Sequence, residues 1–578
     1  MQLADASLHL IETWEDAQDF MSWLSERRPI LGADSETSGL EWWNKELRLF
    51  QFGDRTGGWA IPWDGWGGLV RDVFRRYESP MVFHNSKFDV HFLERAGVVV
   101  GRDRIHDTML MQQLVNPTEL AGLKFCAKRY VDPRSAGGEK DLKTAMRQAG
   151  WDWATIPIDF AGYWVYSALD PVITALLWEH HEKLIRSKSM GDIYALELDI
   201  NWILLDMEER GVAIDEGYCM DQYNNLLAYA QEARGWLADE YGMVTAKGTP
   251  SIAPSVLAPT LLEAGVKLTE ETPTGKWKLD EKVLGEIEHP IVETVLAIKR
   301  AEKWAKSYLG GMLDGADNGR VHPGFKSMGA KTGRMSVSNP PLQQLPRDNP
   351  LIRKAFVAGT DNSLVAIDYS QIEARLMAHY SYDPGLIAAF DEGDFFTEVG
   401  KRLFREPDFA RSDPRRAIVK NTVYARMYGA GPAKFAETAG LELGEAREMF
   451  TALAEQYPGI QELATACESA ACERDYPYVT TYGGRRIEVD PGFEYKLVNG
   501  LIQGSAADIF KMAIRDLDSA GLCEYLVLLV HDEAVFDVPT EMAPDFLQHA
   551  SAVMEDLYSF AVPLTVEGGI ADDYGSAK

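Results

Sequence analysis

The sequence has few cysteines and an excess of negative over positive charge, and it lacks a long apolar run. Its five cysteines in 578 residues are scattered, and no CxxC pair or Cys/His cluster indicates a zinc site. Scattered cysteines favour a reducing, intracellular compartment. No apolar stretch approaches the ~18 residues that span a bilayer, and the acidic N-terminus does not resemble a signal peptide. We therefore expect a cytoplasmic protein without membrane contact.

The charge balance excludes a uniformly basic nucleic-acid coat protein. Lys and Arg number 58 against 88 Asp and Glu, which gives a formal net charge of −30. Nucleic-acid binding needs only a local basic surface, however. Residues 401–426 contain eight Lys and Arg against three acids, and residues 331–354 contain five against one. A basic cleft in an acidic protein is therefore consistent with the sequence.

The predicted secondary structure divides the chain into two parts. Residues 1–188 alternate strand-like and helix-like stretches, which is typical of an α/β domain. "PILGADSE" and "MVFHNSKFDV" predict strands, and "AGYWVYSALDPVITALLWEHHEKLI" predicts a long helix. From residue 189 the pattern becomes helical, with Gly211 as an expected helix end. The strand "SLVAIDYS", a helical block at 395–475 and a hairpin follow.

Four acids in the first part have the spacing of metal ligands. Asp34 and Glu36 lie two apart on a predicted strand, so both side chains point to one face. Asp89 ends "HNSKFD", and Asp170 follows Tyr166 by one helical turn. Carboxylates are preferred Mg²⁺ ligands, and two such ions can activate a water and stabilise a leaving oxygen. Any one acid alone would be an ordinary surface charge, but the ordered set is far more specific.

This set, D-x-E, then N-x-x-x-D, then Y-x-x-x-D, resembles the DEDD-type 3′→5′ proofreading exonuclease of family A DNA polymerases. That domain has a ribonuclease H-like α/β fold. The resemblance implies that Asp34, Glu36, Asp89 and Asp170 hold two metal ions and that Tyr166 orients the attacking water. Since all four acids are present, we expect an active exonuclease rather than a domain retained for packing.

Two carboxylates of the second part also end predicted strands. Asp368 lies in "SLVAIDYSQIEARLMAHYS", and "YLVLLVHDEAVFDVP" predicts a hairpin whose turn holds His531, Asp532 and Glu533. Adjacent carboxylates repel unless a metal neutralises them, as in two-metal phosphoryl transfer. Both segments resemble the palm motifs of family A DNA polymerases. The resemblance implies that Asp368 and Asp532 bind both metals, with the Tyr369 carbonyl as a further ligand and Glu533 as a supporting acid.

One helix face in "RRAIVKNTVYARMYGAG" carries Arg416, Lys420, Tyr424 and Tyr428, spaced four apart. Taken alone, this pattern also fits an amphipathic helix with a solvated basic end. The spacing resembles the fingers helix of the family, which implies that Arg416 and Lys420 bind dNTP phosphates. It further implies that Tyr424 packs against the sugar and base and that Tyr428 borders the template. Glu373 matches the steric gate that excludes a ribose 2′-OH.

One position departs from the family pattern. The stretch after the first palm motif usually reads D-I-H-x-x-T, and its His reaches the incoming phosphates. Here "EGDFFTEVG" places Phe396 at the His position. A phenyl ring cannot donate a hydrogen bond to a phosphate. One phosphate contact is therefore missing or supplied by another residue.

Other stretches resemble segments that hold primer-template DNA in the family. Arg, Gln and Asn can check pair geometry in the minor groove, where every base pair offers acceptors in similar places. The residues concerned are Arg334, Gln343, Arg353, Arg485, Arg486, Asn499 and Gln503. His531 is expected near the primer-terminal phosphate.

The resemblance covers nearly the whole chain and implies a DNA-templated DNA polymerase with 3′→5′ proofreading. It implies an exonuclease domain at 1–188 and an α+β right-hand polymerase domain at 189–578. The expected subdivisions are a thumb near 195–320, fingers near 395–485, and a palm from 321–394 and 486–578. Mg²⁺ is the expected cofactor, with two ions at each site and Mn²⁺ as a substitute. The expected partners of a monomeric enzyme are primer-template DNA, dNTPs, and a helicase or other replisome proteins.

Because the first exonuclease motif begins at Asp34, no 5′-nuclease domain is expected before it, and such compactness resembles bacteriophage replicative polymerases. Three alternatives to this interpretation remain. Genome replication is the expected role, with repair as an alternative. A second alternative is an exonuclease whose polymerase-like half only binds DNA. The third is a single-subunit RNA polymerase, against which Glu373 and the proofreading domain argue.

Overall fold

A six-stranded mixed sheet forms the centre of the first part of the chain. The computed structural model describes residues 6–577 except 27, 134, 136, 346–348, 473–476 and 557–558. The strands are β1 (Ser7–Leu10), β2 (Leu31–Thr37), β3 (Leu47–Gly53), β4 (Gly57–Pro62), β5 (Met81–Phe83) and β6 (Ile105–Asp107). Their order is β1-β4-β3-β2-β5-β6, with β3 antiparallel to both neighbours and the other pairs parallel. The expected α/β class is confirmed.

Helices cover both faces of this sheet. They are α1 (Trp14–Ser25), α2 (Trp63–Arg76), α3 (Ser86–Arg95), α4 (Thr108–Val115), α5 (Leu123–Cys126), α6 (Gly137–Ala149) and α7 (Ala161–Ser187). Consecutive strand residues point to opposite faces, and the neighbours Leu49 and Phe50 pack against different helices. Leu49 belongs to a cluster with Tyr163 of α7, and the ring of Phe50 lies 5.6 Å from that of Phe74 on α2.

The long helix α7 lies directly on the sheet because two strand positions are glycines. A Cβ at Gly32 would come within 2.0 Å of the Pro171 carbonyl oxygen, and one at Gly58 within 1.9 Å of the Ala168 carbonyl oxygen. Any side chain at these positions would therefore push the helix away. The close approach brings Tyr166 and Asp170 of α7 to β2.

The second predicted strand is shorter than the sequence indicated. In "MVFHNSKFDV" only Met81–Phe83 forms a strand, and Asn85 then adopts a left-handed conformation (φ 74°). Helix α3 begins at the next residue, so Asp89 lies on a helix. The prediction that the strand extends through Asp89 is wrong, because the polar turn at Asn85 ends the extended run early.

A helical segment follows the first domain. Its helices are α8 (Gly191–Arg210), α9 (Glu216–Tyr241), α10 (Pro254–Glu263), α11 (Glu281–Gly285), α12 (Pro290–Lys303) and α13 (Gly311–Gly315). As predicted, α8 ends at Gly211, which has a positive φ of 62°. The segment from α9 to α12 has a hydrophobic core of its own, which includes Leu237 and Val295.

A four-stranded antiparallel sheet organises the remainder. The later strands are β7 (Val212–Ala213), β8 (Arg320–Val321), β9 (Gly324–Lys326), β10 (Ser336–Ser338), β11 (Asn362–Tyr369), β12 (Tyr478–Thr480), β13 (Arg486–Glu488), β14 (Leu526–Val530), β15 (Glu533–Pro539) and β16 (Val566–Ala571). The sheet has the order β14-β15-β11-β16. The predicted strand "SLVAIDYS" corresponds to β11, and the predicted hairpin is β14 and β15.

Helices surround this sheet and extend beyond it. They are α14 (Ile372–Ser381), α15 (Pro384–Glu392), α16 (Phe395–Phe404), α17 (Arg415–Met427), α18 (Pro432–Ala439), α19 (Leu443–Gln456), α20 (Pro458–Cys472), α21 (Leu497–Ser519) and α22 (Ala543–Glu555). The predicted helical block near 395–475 corresponds to α16 to α20. Over the described residues, no helix is both long and apolar enough to cross a bilayer.

A buried charged cluster joins the first domain to the rest of the chain. Lys87 of α3 forms an ion pair with Glu208 of α8, and its amine also donates to the Phe325 carbonyl oxygen at 2.5 Å. His91, one helical turn after Lys87, places Nε2 2.8 Å from the other carboxylate oxygen of Glu208. All three charged or polar side chains are buried. Helix α3 therefore connects the exonuclease-like motif with the following segment.

Candidate active sites

Asp89 and Asp170 lie close enough to Asp34 and Glu36 to raise the pKa of both. Burial and the other three acids hold the pKa of Asp34 well above its usual value. Burial, together with Asp170, raises the pKa of Glu36 to about 8. Burial also raises the pKa of Asp89 to about 7 and that of Asp170 above its usual value. The structure therefore brings the four predicted acids together, although they come from β2, α3 and α7.

Neighbouring hydroxyl groups fix two of these carboxylates. Ser35, between the two strand acids, donates from Oγ to Oδ1 of Asp89 at 2.6 Å. Ser167 of α7 donates from Oγ to Oε1 of Glu36 at 3.1 Å. Each hydrogen bond crosses from one element to another, so β2, α3 and α7 hold the acids in mutual register.

Lys124 also belongs to this site, although the sequence did not indicate it. The amine of Lys124 on α5 forms an ion pair with Asp170 and lies 4.0 Å from the centre of the Tyr166 ring. Burial and the nearby acids, Asp170 first, raise the pKa of Tyr166, so its hydroxyl keeps its proton. No sequence signal distinguishes Lys124 from other lysines, because its partner lies 46 positions later.

The donor set fits hard divalent cations. Burial raises the pKa of all four acids, and neighbouring site acids raise it further for Asp34 and Glu36, so positive charge is needed before all four can ionise. Oxygen donors of this kind suit Mg²⁺ or Mn²⁺. Among the described residues, no three His, Cys, Asp or Glu side chains are already gathered as a metal-binding group.

Strand pairing brings the two acids of the second part to the same end of the sheet. Asp368 of β11 is directly opposite Glu533 of β15. The next residue, Tyr369, donates its N–H to the carbonyl oxygen of Asp532 at 3.4 Å. His531 turns the hairpin with a positive φ of 58°. The antiparallel register thus places Asp368 beside the turn that carries Asp532.

Glu533 is held by a residue near the end of the described chain. The Tyr574 hydroxyl donates to Oε2 of Glu533 at 2.7 Å, and both side chains are buried. The guanidinium carbon of Arg353 lies 5.4 Å from the centre of the Tyr574 ring. Tyr574 was not predicted, since nothing in the C-terminal sequence indicates a contact with the hairpin.

A cavity of about 680 Å³ separates these acids from helix α17. Its lining contains the predicted catalytic and nucleotide-binding residues of the second part, namely Asp368, Tyr369, Asp532, Glu533, Glu373, Arg416, Lys420 and Tyr424, together with Tyr428, which is predicted to border the template. Arg334, Arg353, His531 and Phe396 also line it. The rings of Tyr424 and Tyr428 stack with centroids 5.7 Å apart. Carboxylates, cations and aromatic rings thus line the same cavity.

Arg416 is paired in this structure. Its Nε and Nη2 donate to the two oxygens of Asp394 at 2.8 and 2.7 Å. Burial alone would raise the pKa of Asp394, but these hydrogen bonds and those from Thr397 lower it to about 2. Asp394 also begins α16 by accepting from the Thr397 N–H at 3.0 Å. The D-x-x-T spacing is a visible cap signal, yet it does not indicate the Arg416 contact.

Glu373 receives contacts from two other predicted site residues. It forms an ion pair with Arg334 and accepts a hydrogen bond from the Tyr428 hydroxyl. Burial alone would lower the pKa of Arg334, but Asp532 and Glu373 raise it. Gln343 lines a second cavity with Arg334 and donates to the Met335 carbonyl oxygen at 2.7 Å.

The remaining residues predicted to contact DNA differ in how deeply they are buried. Arg485 is only 3% exposed, and its guanidinium pairs with Glu197 and Asp508 in the interior. Its position does not support the expected DNA contact, because these acids already occupy its donors. Arg486, the next residue, is half-buried over the Tyr478 ring. The other two predicted residues, Asn499 and Gln503, lie one turn apart on α21.

Sequence comparisons match both parts of the chain. A profile of DNA polymerase family A matches residues 251–576, and a 3'-5' exonuclease profile matches residues 8–186. The DNA polymerase of Mycobacterium phage L5 is 26% identical over 95% of this chain and 93% of the phage protein. That of Mycobacterium phage D29 is 27% identical over 93% and 91%. The DNA polymerase I of Chloroflexus aurantiacus is 29% identical over 85% of this chain and 54% of that protein.

The fold also matches a solved structure. The POL domain of Pol1 from M. smegmatis, in complex with DNA primer-template and dNTP, superimposes with a TM-score of 0.78. The match covers 98% of this chain and all of that chain at 24% sequence identity. The two chains therefore share the arrangement of both parts described above.

Proposed function

The chain belongs to DNA polymerase family A and carries a 3′–5′ exonuclease domain before the polymerase domain, and from this premise we propose that its two groups of acids are separate metal-dependent active sites. We assign residues 1–188 to the exonuclease and 189–578 to the polymerase. Within the latter, the thumb lies near 195–320, the fingers near 395–485, and the palm at 321–394 and 486–578.

One observation carries the polymerase assignment: Asp368 and Asp532 line a single cavity together with Arg416 and Lys420. We propose that the primer 3′-OH attacks the α-phosphate of a dNTP there and that pyrophosphate leaves. Arg416 and Lys420 hold the phosphates by charge, and Tyr424 packs against the sugar and base. The two aspartates and the Tyr369 carbonyl would hold divalent ions, which would supply the charge neutralisation that phosphoryl transfer needs.

In our proposal Glu373 selects the sugar of the nucleotide, and a second set of residues holds the template and the duplex. Glu373 fills the space beside the sugar and excludes a ribose 2′-OH. In our proposal Tyr428 borders the template, and Arg334, Gln343 and Arg353 hold the duplex near the cavity. Arg486, Asn499, Gln503 and His531 extend this surface. Arg485 supports it from the interior.

We propose that the exonuclease site removes the primer-terminal nucleotide with Mg²⁺, for which Mn²⁺ can substitute. Asp34, Glu36, Asp89 and Asp170 would hold the ions, which would supply activation of a water and stabilisation of the leaving oxygen. The protonated Tyr166 hydroxyl orients that water. The clustering of four buried or half-buried acids supports this assignment.

The test compares wild type, Asp368→Asn and Asp34→Ala on an end-labelled primer-template with Mg²⁺, with and without dNTPs. Wild type extends the primer with dNTPs and degrades it without them. We expect Asp368→Asn only to degrade and Asp34→Ala only to extend, and a chelator to stop both reactions. If wild type degrades but never extends, the polymerase half is a DNA-binding module instead.

We further propose that the enzyme replicates a bacteriophage genome in the cytoplasm of a bacterial host. The similarity to two phage DNA polymerases over most of their length supports this role. The proposed enzyme is a monomer that works with a helicase or other replisome proteins. Extension of a primed circular single-stranded template tests the role: replication requires long products, whereas a repair enzyme fills only short gaps efficiently.

A further inference from the structure

Phe396 lies at the one position where the polymerase motifs depart from the family pattern, and it contacts two cations. It is the second residue of α16 and only 2% exposed. The centre of its ring lies 5.5 Å from the guanidinium carbon of Arg416 and 5.9 Å from the amine of Lys420. The ring of Tyr424 lies 5.8 Å away, centroid to centroid.

We propose that Phe396 is a positioning residue that holds Arg416 and Lys420 in place for the nucleotide triphosphate. The face of an aromatic ring carries negative electrostatic potential and attracts a cation within about 6 Å of its centre. Long cationic side chains lose rotamer freedom when they bind a phosphate. A ring that restricts them beforehand reduces this loss. This inference rests on the proposed dNTP-binding role of the two cations.

The contacts of Asp394 and Phe396 with Arg416 are complementary. Asp394 binds the edge of the guanidinium formed by Nε and Nη2, whereas the guanidinium carbon lies over the ring of Phe396. Because a guanidinium is planar with donors on more than one edge, Nη1 keeps its own donors beyond the Asp394 contact. The two residues are only two positions apart at the start of α16. The first turn of α16 therefore orients the Arg416 guanidinium, whereas Phe396 itself donates no hydrogen bond to a phosphate.

The test replaces Phe396 with mono-, di- and trifluorinated phenylalanine, which progressively weakens the negative potential of the ring while nearly preserving its shape. Single-turnover incorporation on a primer-template gives the dNTP dissociation constant and the maximal rate separately. We expect the dissociation constant to rise along the series, by roughly three- to tenfold at trifluorophenylalanine. The maximal rate and the exonuclease rate should change little.

Phe395 provides the matched control. It is buried on the same helix turn and stacks on Phe390 with centroids 4.2 Å apart. The same fluorinated series at Phe395 should leave the dNTP dissociation constant unchanged. A constant that does not change along the Phe396 series, or that changes equally at both positions, would overturn the inference and leave Phe396 a packing residue. Absence of incorporation by wild type would instead refute the proposed function.

Phe396→Leu gives an independent readout without a non-natural residue. Leu keeps an apolar side chain but removes the ring face, so the dNTP dissociation constant should rise as in the trifluorinated variant. Thermal denaturation of both proteins separates this effect from unfolding. Equal dNTP affinity in Phe396→Leu and wild type would contradict the proposal.

Discussion

The Tyr428 hydroxyl donates a hydrogen bond to the carboxylate of Glu373, which joins the end of α17 to the first turn of α14. Arg334 makes an ion pair with the same carboxylate. Glu373 is 7% exposed, so these two contacts fix a largely buried side chain. The proposed sugar gate therefore has a defined position before any nucleotide enters the cavity.

Glu373→Ala should admit ribonucleotides. The truncation removes the bulk beside the proposed sugar position, and we expect the ratio of kcat/KM for rNTP to that for dNTP to rise at least about tenfold. Tyr428→Phe is the matched control, because it removes one anchor of Glu373 but keeps the bulk of the gate. Steady-state incorporation of single nucleotides measures the ratio. An unchanged ratio in Glu373→Ala would place the discrimination elsewhere.

Lys124→Met should slow primer degradation at least about tenfold, because a buried Asp170 loses the cation that it contacts. Lys124→Arg retains the charge and should retain more activity. Degradation of an end-labelled primer without dNTPs measures the effect, and primer extension by the same preparation verifies the polymerase domain. Faster degradation by Lys124→Met would mean that the amine competes with metal ions for Asp170.

Glu208→Gln should destabilise the protein by about 3–5 kcal/mol, because it leaves a buried Lys87 without its charged partner. Lys87→Met should have a comparable effect for the converse reason. The double variant Lys87→Met/Glu208→Leu should lose less stability than the two single substitutions together, since neither charge remains buried alone. Denaturant unfolding measures all three. Additive losses would show that the pair does not interact.

The same carboxylate should make stability depend on pH in the acid range. Burial alone would raise the pKa of Glu208, but Lys87 and His91 hold it below 4.5 in the folded protein. The stability that ionised Glu208 contributes is therefore fully present above the pKa that Glu208 has in the unfolded chain. It is lost as the pH falls below 4.5. Unfolding of wild type and Glu208→Gln between pH 7 and about 3 should show a difference that shrinks toward acid. A constant difference would contradict this assignment.

Substitution of Arg485 should lower stability, whereas substitution of Arg486 should weaken DNA binding. Arg485→Met leaves Glu197 and Asp508 buried without their guanidinium, and we expect a loss of about 3–5 kcal/mol in the free energy of unfolding. Arg486→Ala should leave stability nearly unchanged and weaken binding of primer-template DNA. Thermal denaturation and fluorescence anisotropy of labelled DNA separate the two effects. Weaker DNA binding by a fully stable Arg485→Met would restore the original expectation.

The family and both domains could be predicted from the sequence because their motifs are local. Asp34 and Glu36 lie two apart on one strand, and Tyr166 precedes Asp170 by one helical turn, so spacing alone indicates a shared face. The family profiles confirm the two domains that these motifs predicted. The roles of the individual residues stay predictions.

What the sequence could not indicate is burial and long-range pairing. Arg485 and Arg486 are neighbours in "GGRRIEV", but only the fold decides which of them faces the interior. The partner of Arg485, Glu197, lies 288 positions away. Lys124 likewise becomes part of a site only when α5 packs beside α7. Local spacing predicts which residues share a face, whereas tertiary packing selects their partners.

The buried ion pair of Lys87 and Glu208 has a consequence for how an incorrect nucleotide is removed. Helix α3 carries Lys87 and, two residues later, the proposed metal ligand Asp89. A hinge at this joint would have to separate two buried charges, which is costly, so the pair opposes rotation of the exonuclease site toward a stalled primer. In our proposal the primer end instead unwinds and travels between the two sites, and mismatched ends melt first.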